Sequence, residues 1–358
     1  MPTGGPGTGA SALRGETPAR KGARDLWRNA GAYVALAVVV LIFAILSPEF
    51  RRPSNLLNVL DQSVEIAIVA VGMTAIIVTA GIDLSVGSVA ALAPFLGAWV
   101  MTQRGWLFGG FAGTAVAGLL VALGIGAIAG AINGLAITKA HLPPFIATLG
   151  MMSALRGLSF VLSHGTGISS GLPKGYLATA RNISIFGHVA SFTTADGGTV
   201  NFTVAILVMA AVFAAGYLVL TRSKIGRHIF AIGGNDAAAR LSGVPVDRVI
   251  FLVYVAGGLL AALGGIVECA TVGSAVPDAG IGLELNVIAA VVIGGTSLSG
   301  GRGSLAGTFA GALLMKVISN GLHFFNQVDS NWQSVVIGVV IMVAVAFDEF
   351  QKRRALVS

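Results

Sequence analysis

Asp, Glu, Lys and Arg together make up only 10% of these 358 residues, where a soluble domain carries about 25%. A water-soluble globule of this length has enough surface to need far more charge, so lipid must be the solvent over most of it. Cysteine is almost missing: Cys269 stands alone, which excludes an intramolecular disulfide and a cysteine-based metal cluster. Histidines are few (His141, His164, His188, His228, His323), and no two have metal-ligand spacing. No Ser/His/Asp set stands out, and there is no G-x-x-x-x-G-K-S/T phosphate loop. These gaps argue against a membrane enzyme and leave the chain without ATP hydrolysis of its own. No catalytic residue, metal or cofactor is expected.

What is abundant is apolar and small. Hydrophobic residues reach 55% and mean hydropathy is +0.87. The 50 glycines are roughly twice the usual share. In a bilayer small residues let helices approach closely, so Gly124, Gly126, Gly130 and Gly134 read as a packing face. A net charge of +7 could suit nucleic acid, but the cations sit in tails and short loops beside apolar segments, which is the pattern of membrane orientation.

The fold class that follows is an all-α integral membrane protein of about ten transmembrane helices, some broken or re-entrant. Residues 1–29, rich in Gly and Pro, are expected to form a disordered cytoplasmic tail. Asn29 to Pro48 is an uncharged run that reads as a signal anchor, with no cleavable signal peptide ahead of it. Further spans are expected at 63–81, 85–103 (broken by Pro94), 108–137, 144–163, 201–220, 249–272, 284–299, 303–325 and 332–350. The span at 284–299 is short enough to be re-entrant or broken. Residues 30–350 then form the transmembrane domain and 351–358 a second cytoplasmic tail. The long segment 164–200 lies outside, either as small helices or as a plain loop.

Positive charge sets the orientation. Of the 22 Lys and Arg, Arg156 and Lys316 lie within spans, and Arg51, Arg52, Arg104, Lys174 and Arg181 fall outside. The remainder, including the loop 222–248, fall on the cytoplasmic side, a clear positive-inside bias.

Three segments carry more specific information. In GIDLSVGS, Gly81 to Ser88, Asp83 is a carboxylate among apolar runs and therefore a functional candidate. It can equally be a local cap for a helix starting at Leu84, with Ser85 helping and Gly81 easing the chain reversal. In the loop Arg222 to Arg248, Gly234, Asn235 and Asp236 start a helix through Ala238, Ala239, Arg240 and Leu241, and Gly243 ends it. A helix this short is marginal in water. It must dock either on its own bundle or on a separate cytoplasmic protein. The third segment, Glu284 to Leu314, contains Gly294, Gly295, Thr296 and Ser297 in a glycine-rich break at membrane depth. Such backbone is tolerated only when buried in protein or lining a watery cavity. Ser297-Leu298-Ser299 echoes Asp83-Leu84-Ser85, and Asn320-Gly321 echoes Asn133-Gly134, a hint of internal duplication.

These segments, with PPFIATLG at Pro143 to Gly150, resemble the permease family of ribose- and xylose-type ABC sugar importers over residues 30–350. The resemblance implies a bacterial inner-membrane subunit that pairs with a second permease, as a homodimer or with a paralogue. It also implies a cytoplasmic ATP-binding-cassette ATPase, an extracytoplasmic binding protein that delivers a monosaccharide, and no nucleic acid. It assigns Gly234, Asn235, Asp236, Ala238, Ala239, Arg240, Leu241 and Gly243 to the ATPase-coupling segment. Permeases of the family also serve other small polar solutes. An ion-coupled secondary transporter is a rival reading, and Lys316 is its candidate coupling group. Residues able to bond a sugar are too many to choose among: Asn133, Thr148, Ser153, Asn286, Asn320 and Gln333.

The charge bias makes one expectation testable at once. In a Cys269→Ser background, Ser242→Cys should escape an impermeant thiol reagent added to intact cells and react after permeabilisation. Labelling from outside would reverse the topology.

Overall fold

The computed structural model describes residues 18–103, 111–172 and 203–324, with short pieces between 184 and 201 and between 332 and 346. Helices lie on every expected span up to 303–325; the last, 332–350, and the tail after it fall largely or wholly outside the described residues, as do residues 1–17. Among the described residues, five helices are long and apolar enough to cross a membrane, or six if one bent pair counts as a single span.

Helix α1 (Pro18–Leu46) begins well ahead of Asn29, where the sequence reading ends its tail. Its first turns hold Ala, Lys, Arg and Leu, all good helix formers. Helices α2 (Pro53–Gln62) and α3 (Val64–Val78) meet at a 43° bend. Fifteen residues of α3 rise only about 22 Å, less than the ~30 Å hydrocarbon core, and only together with α2 is the bent pair long enough for one span. Sequence reading missed α2 because its apolar positions alternate with Asn and Asp. Helix α3 is apolar all round and nearly every residue is buried, as a central helix requires. Around it stand α7 (Val204–Arg222), α10 (Val246–Val272), α11 (Leu283–Ile293) and α12 (Leu305–His323).

The other half of the bundle is α4 (Val86–Gln103), α5 (Phe111–Thr138) and α6 (Pro144–Ser163), joined to the first half through α10. Pro94 does not break α4; it sits inside a continuous helix. Proline removes the hydrogen bond to the carbonyl four residues back, and that carbonyl, on Ala90, is covered by the close approach of Gly265 on α10. Between α6 and α7 the described pieces are two antiparallel hairpins, β1 (Ser184–Ile185) with β2 (His188–Val189), and β3 (Ser191–Thr193) with β4 (Thr199–Asn201). Short strands therefore stand where small helices or plain loop were expected. Helices α8 (Lys224–Gly234) and α9 (Asp236–Leu241) link α7 to α10.

Close packing of α5 on α10 rests on missing side chains. A Cβ on Gly126 or Gly258 would strike the carbonyl of the other, and one on Gly130 would strike the Tyr254 carbonyl. Gly134 sits 3.1 Å, from its would-be Cβ, above the Phe251 Cα. Gly124 departs from this face, since nothing lies within 4 Å of its Cβ position. Gly258→Val should accordingly lower the melting temperature of the detergent-solubilised protein, by the ~1–3 kcal/mol typical of overpacking. Gly124→Ala should not; equal melting of both variants would refute the packing account.

Candidate functional site

The three segments singled out in the sequence converge at one end of the bundle. Helix α3 ends at Thr79 and Ala80, and the chain turns through Gly81–Ser85 before α4 begins at Val86, two residues later than expected. Asp83, 1% exposed, holds this turn. One of its oxygens accepts both the Ser85 backbone N–H at 2.8 Å and the Ser85 hydroxyl at 2.6 Å. Ser85 accepts in turn from the Asn133 amide on α5 at 2.9 Å. The Ile82 carbonyl receives the Tyr254 hydroxyl of α10 at 3.3 Å. A Cβ on Gly81 would lie 2.6 Å from that hydroxyl. Gly81, Asp83, Ser85 and Asn133 are thus one cluster, and the capping geometry is a side chain bonding two residues ahead.

The second break docks against the first. Helix α11 spans 11 residues, about 16 Å and half a bilayer, and packs on α12 as a hairpin in which Gly294 faces Gly307 and Ala290 faces Gly311. The connecting turn keeps its own bonds: Thr296 N–H to the Val291 carbonyl at 3.1 Å and Ser297 N–H to the Arg302 carbonyl at 3.0 Å. Gly295 is in the left-handed region at φ 87°. Gly301 then donates to the Val78 carbonyl at the end of α3, at 2.9 Å. Gly233 of α8 presses on the same carbonyl, and a Cβ on Gly301 would stand 3.0 Å from the Gly234 Cα. Three backbones meet here with no room for side chains.

From that junction the chain passes directly into α9. Asn235 caps it, accepting from the Ala238 N–H at 2.9 Å. It stops as expected: Gly243, at φ +80°, donates to the Arg240 carbonyl and Val244 to the Ala239 carbonyl, both at 3.0 Å. Arg240 bonds Asp247 at 2.7 Å and Asp236 at 3.3 Å, which hold its guanidinium above its ordinary pKa. Only Ala239 of the helix is buried; Leu241 is 91% exposed. Helix α8 was missed in the sequence. Its signals were Ser223, which caps through Gly226 N–H at 3.0 Å, and Ile229 and Ile232, both buried.

Comparison with known proteins decides the family. The model of the branched-chain amino acid transport system / permease component matches residues 55–345. The chain belongs to this permease family. The permease is 41% identical to the ribose import permease protein RbsC of Escherichia coli (strain K12) over 315 residues, 88% of this chain and 92% of that one. It is 40% identical to RbsC of Bacillus subtilis (strain 168) over 318 residues, 89% and 92% of the two chains. It is 34% identical to the galactose/methyl galactoside import permease protein MglC of E. coli (strain K12) over 335 residues, 91% and 96%. The permease is therefore a multi-pass membrane protein and a transport component.

Of the remaining candidates in the permease, Thr148 reaches the Asp83 turn and the other described ones lie away from it. Asn320 exchanges two amide bonds with Asn55 of α2, at 2.9 and 3.1 Å, so its echo with Asn133 does not extend to structure. Thr148 donates to the Pro144 carbonyl at 2.9 Å and also to the Ile82 carbonyl at 3.3 Å, which puts it beside the Asp83 turn, while exposed Ser153 donates to the Leu149 carbonyl at 3.1 Å. The Asn286 Oδ1 is buried without a partner among the described residues; Gln333 lies outside them. Arg156 is spent on the loop 273–282, donating to the Ala279 carbonyl at 2.6 Å and the Pro277 carbonyl at 3.2 Å. Glu65 and Glu268 line one cavity of about 150 Å³, with Lys316 within electrostatic reach of Glu65.

The two breaks generate a paired test. Asp83→Ala strands the buried Ser85 donors, at ~1–3 kcal/mol, while Asp83→Asn keeps an acceptor and should lose less. Gly295→Leu forces a side chain into the left-handed region, at roughly 1–2 kcal/mol. Melting of purified protein should rank wild type above Asp83→Asn above Asp83→Ala. Solute uptake should fall with Asp83→Ala and Gly295→Leu; normal melting and uptake in both would make the junction filler.

Proposed function

We propose that this chain is the membrane-spanning subunit of an ATP-binding-cassette importer for a ribose- or xylose-like monosaccharide. The observation that carries the substrate class is the 41% identity to a ribose import permease across 88% of the chain. A galactose permease at 34% widens it to monosaccharides. The family description names branched-chain amino acids, and the whole-chain likeness to sugar permeases is the reason to prefer sugar. On this reading a separate ATPase docks on the cytoplasmic face, a soluble binding protein delivers the sugar from outside, and a second permease subunit completes the pathway in the bacterial plasma membrane. Ten spans with both termini cytoplasmic is the arrangement that the positive-inside bias favours.

Energy enters, on this reading, through α9, with Gly234, Asn235, Asp236, Ala238, Ala239, Arg240, Leu241 and Gly243 as the coupling segment. A leucine 91% exposed on a helix of six residues supports docking on a partner over rest against the bundle. Movement of α9 would pass through Gly233 and Gly234 to Val78 and Gly301, and so to both membrane breaks at once. Such coupling needs the partner to contact α9 differently in its two nucleotide states.

Leu241→Asp places a charge in the apolar contact, and Ala238→Trp overfills it. Either should release the ATPase on co-purification or abolish the stimulation of ATP hydrolysis by sugar-loaded binding protein, while the permease remains folded. Retained partner, hydrolysis and uptake in both variants would exclude α9 as the coupling element. Competition of labelled sugar uptake by unlabelled ribose, xylose, galactose and leucine tests the substrate class separately.

A further inference from the structure

At the end of the bundle where α5 finishes and α10 starts, an open cleft of about 450 Å³ is lined by Lys139, Arg240, Asp247 and Arg248, with Val244, Pro245 and Val246 as its apolar wall. Its two nearby carboxylates are already engaged: Asp247 and Asp236 both accept from Arg240. Lys139 and Arg248 have no ion-pair partner among the described residues, and His141 stands close to Asp247 as a further titratable group. Lys139 is within electrostatic reach of the Asp247 carboxylate that Arg240 already holds, so the cleft carries three cations, Lys139, Arg240 and Arg248, against one lining carboxylate.

What leads into it is an exposed apolar ridge. Ile128, Ile132 and Leu135 on α5 are 57%, 49% and 47% exposed, and Lys139 continues their face at helical spacing. Only 28% of the apolar stretch of α5 is buried. An acyl chain lying along these residues would bring its headgroup to Lys139. We infer that the cleft binds the phosphodiester headgroup of an anionic glycerophospholipid, held by Lys139 and Arg248 with its chain on the α5 ridge. Basic pockets between helices at a membrane boundary suit such headgroups, and the hydrocarbon track favours a lipid over free phosphate. A lipid here would share the cleft with Arg240 and Asp247, the ion pair that ties α9 to α10, and so would bear on the position of α9. The inference rests on the chain crossing a membrane and is independent of which solute it carries.

The test is native mass spectrometry of the transporter purified in mild detergent and exposed to equimolar phosphatidylglycerol and phosphatidylcholine. Wild type should retain phosphatidylglycerol preferentially. Lys139→Gln and Arg248→Gln should each weaken that retention about fivefold, and the double variant should lose the preference. Lys224→Gln, an exposed cation on α8 away from the cleft, should not. Unchanged preference in the double variant would overturn the proposal. So would displacement of the lipid by inorganic phosphate at equal concentration, or loss of the ATPase from the double variant with lipid retention intact, which would assign the cleft to an acidic partner surface instead.

Discussion

Every backbone carbonyl and N–H at membrane depth must find a partner inside the protein, because hydrocarbon offers none. Much of this architecture answers to that constraint. Helices satisfy it by themselves; where the chain departs from helix, specific donors meet the freed carbonyls. The end of α3 is closed by the Gly301 N–H on the Val78 carbonyl, and the turn after it by the Tyr254 hydroxyl on Ile82. The loop 273–282 is held by the guanidinium of Arg156 on two carbonyls. A cation in the apolar half of a bundle, suspicious in a sequence, thus has a structural duty here. The glycines serve the same constraint, since backbone can reach backbone at Gly233, Gly300 and Gly301 only where no side chain stands between.

Legibility in the sequence followed the range of the interactions concerned. Spans declare themselves because twenty apolar residues have few other uses, and α9 was readable because capping is chemistry within a few residues: Asn235 at one end, Gly243 at the other. The Asp83–Ser85 contact was readable for the same reason. Convergence was not. Nothing local in Gly233-Gly234, in Val78 or in Gly300-Gly301 says that they touch, since three chains distant in sequence are brought together by the packing of α3 among its neighbours. The start of α1 was lost because a Gly- and Pro-rich beginning masked the Ala, Arg and Leu that follow it. Pro94 misled in the other direction: its effect on a helix depends on whether a neighbour can cover the orphaned carbonyl, and Gly265 does so from α10.

The site accordingly reads as a mechanical junction more than as a pocket. Among the described residues Asn133 and Thr148 meet at the Ile82–Ser85 turn, while Asn320 and Ser153 are bonded elsewhere.

The reciprocal amide pair of Asn55 and Asn320 has a consequence for how this sequence can drift. Each amide both gives and takes a bond, in a part-buried place between α2 and α12. Changing Asn55 to an apolar residue strands both polar groups of Asn320 and also the Phe50 carbonyl, to which Asn55 donates at 3.0 Å, whereas changing Asn320 leaves Asn55 that bond. Asn320 is tied to Asn55 while Asn55 has a second duty at Phe50, so relatives that have lost Asn55 should have lost Asn320 as well.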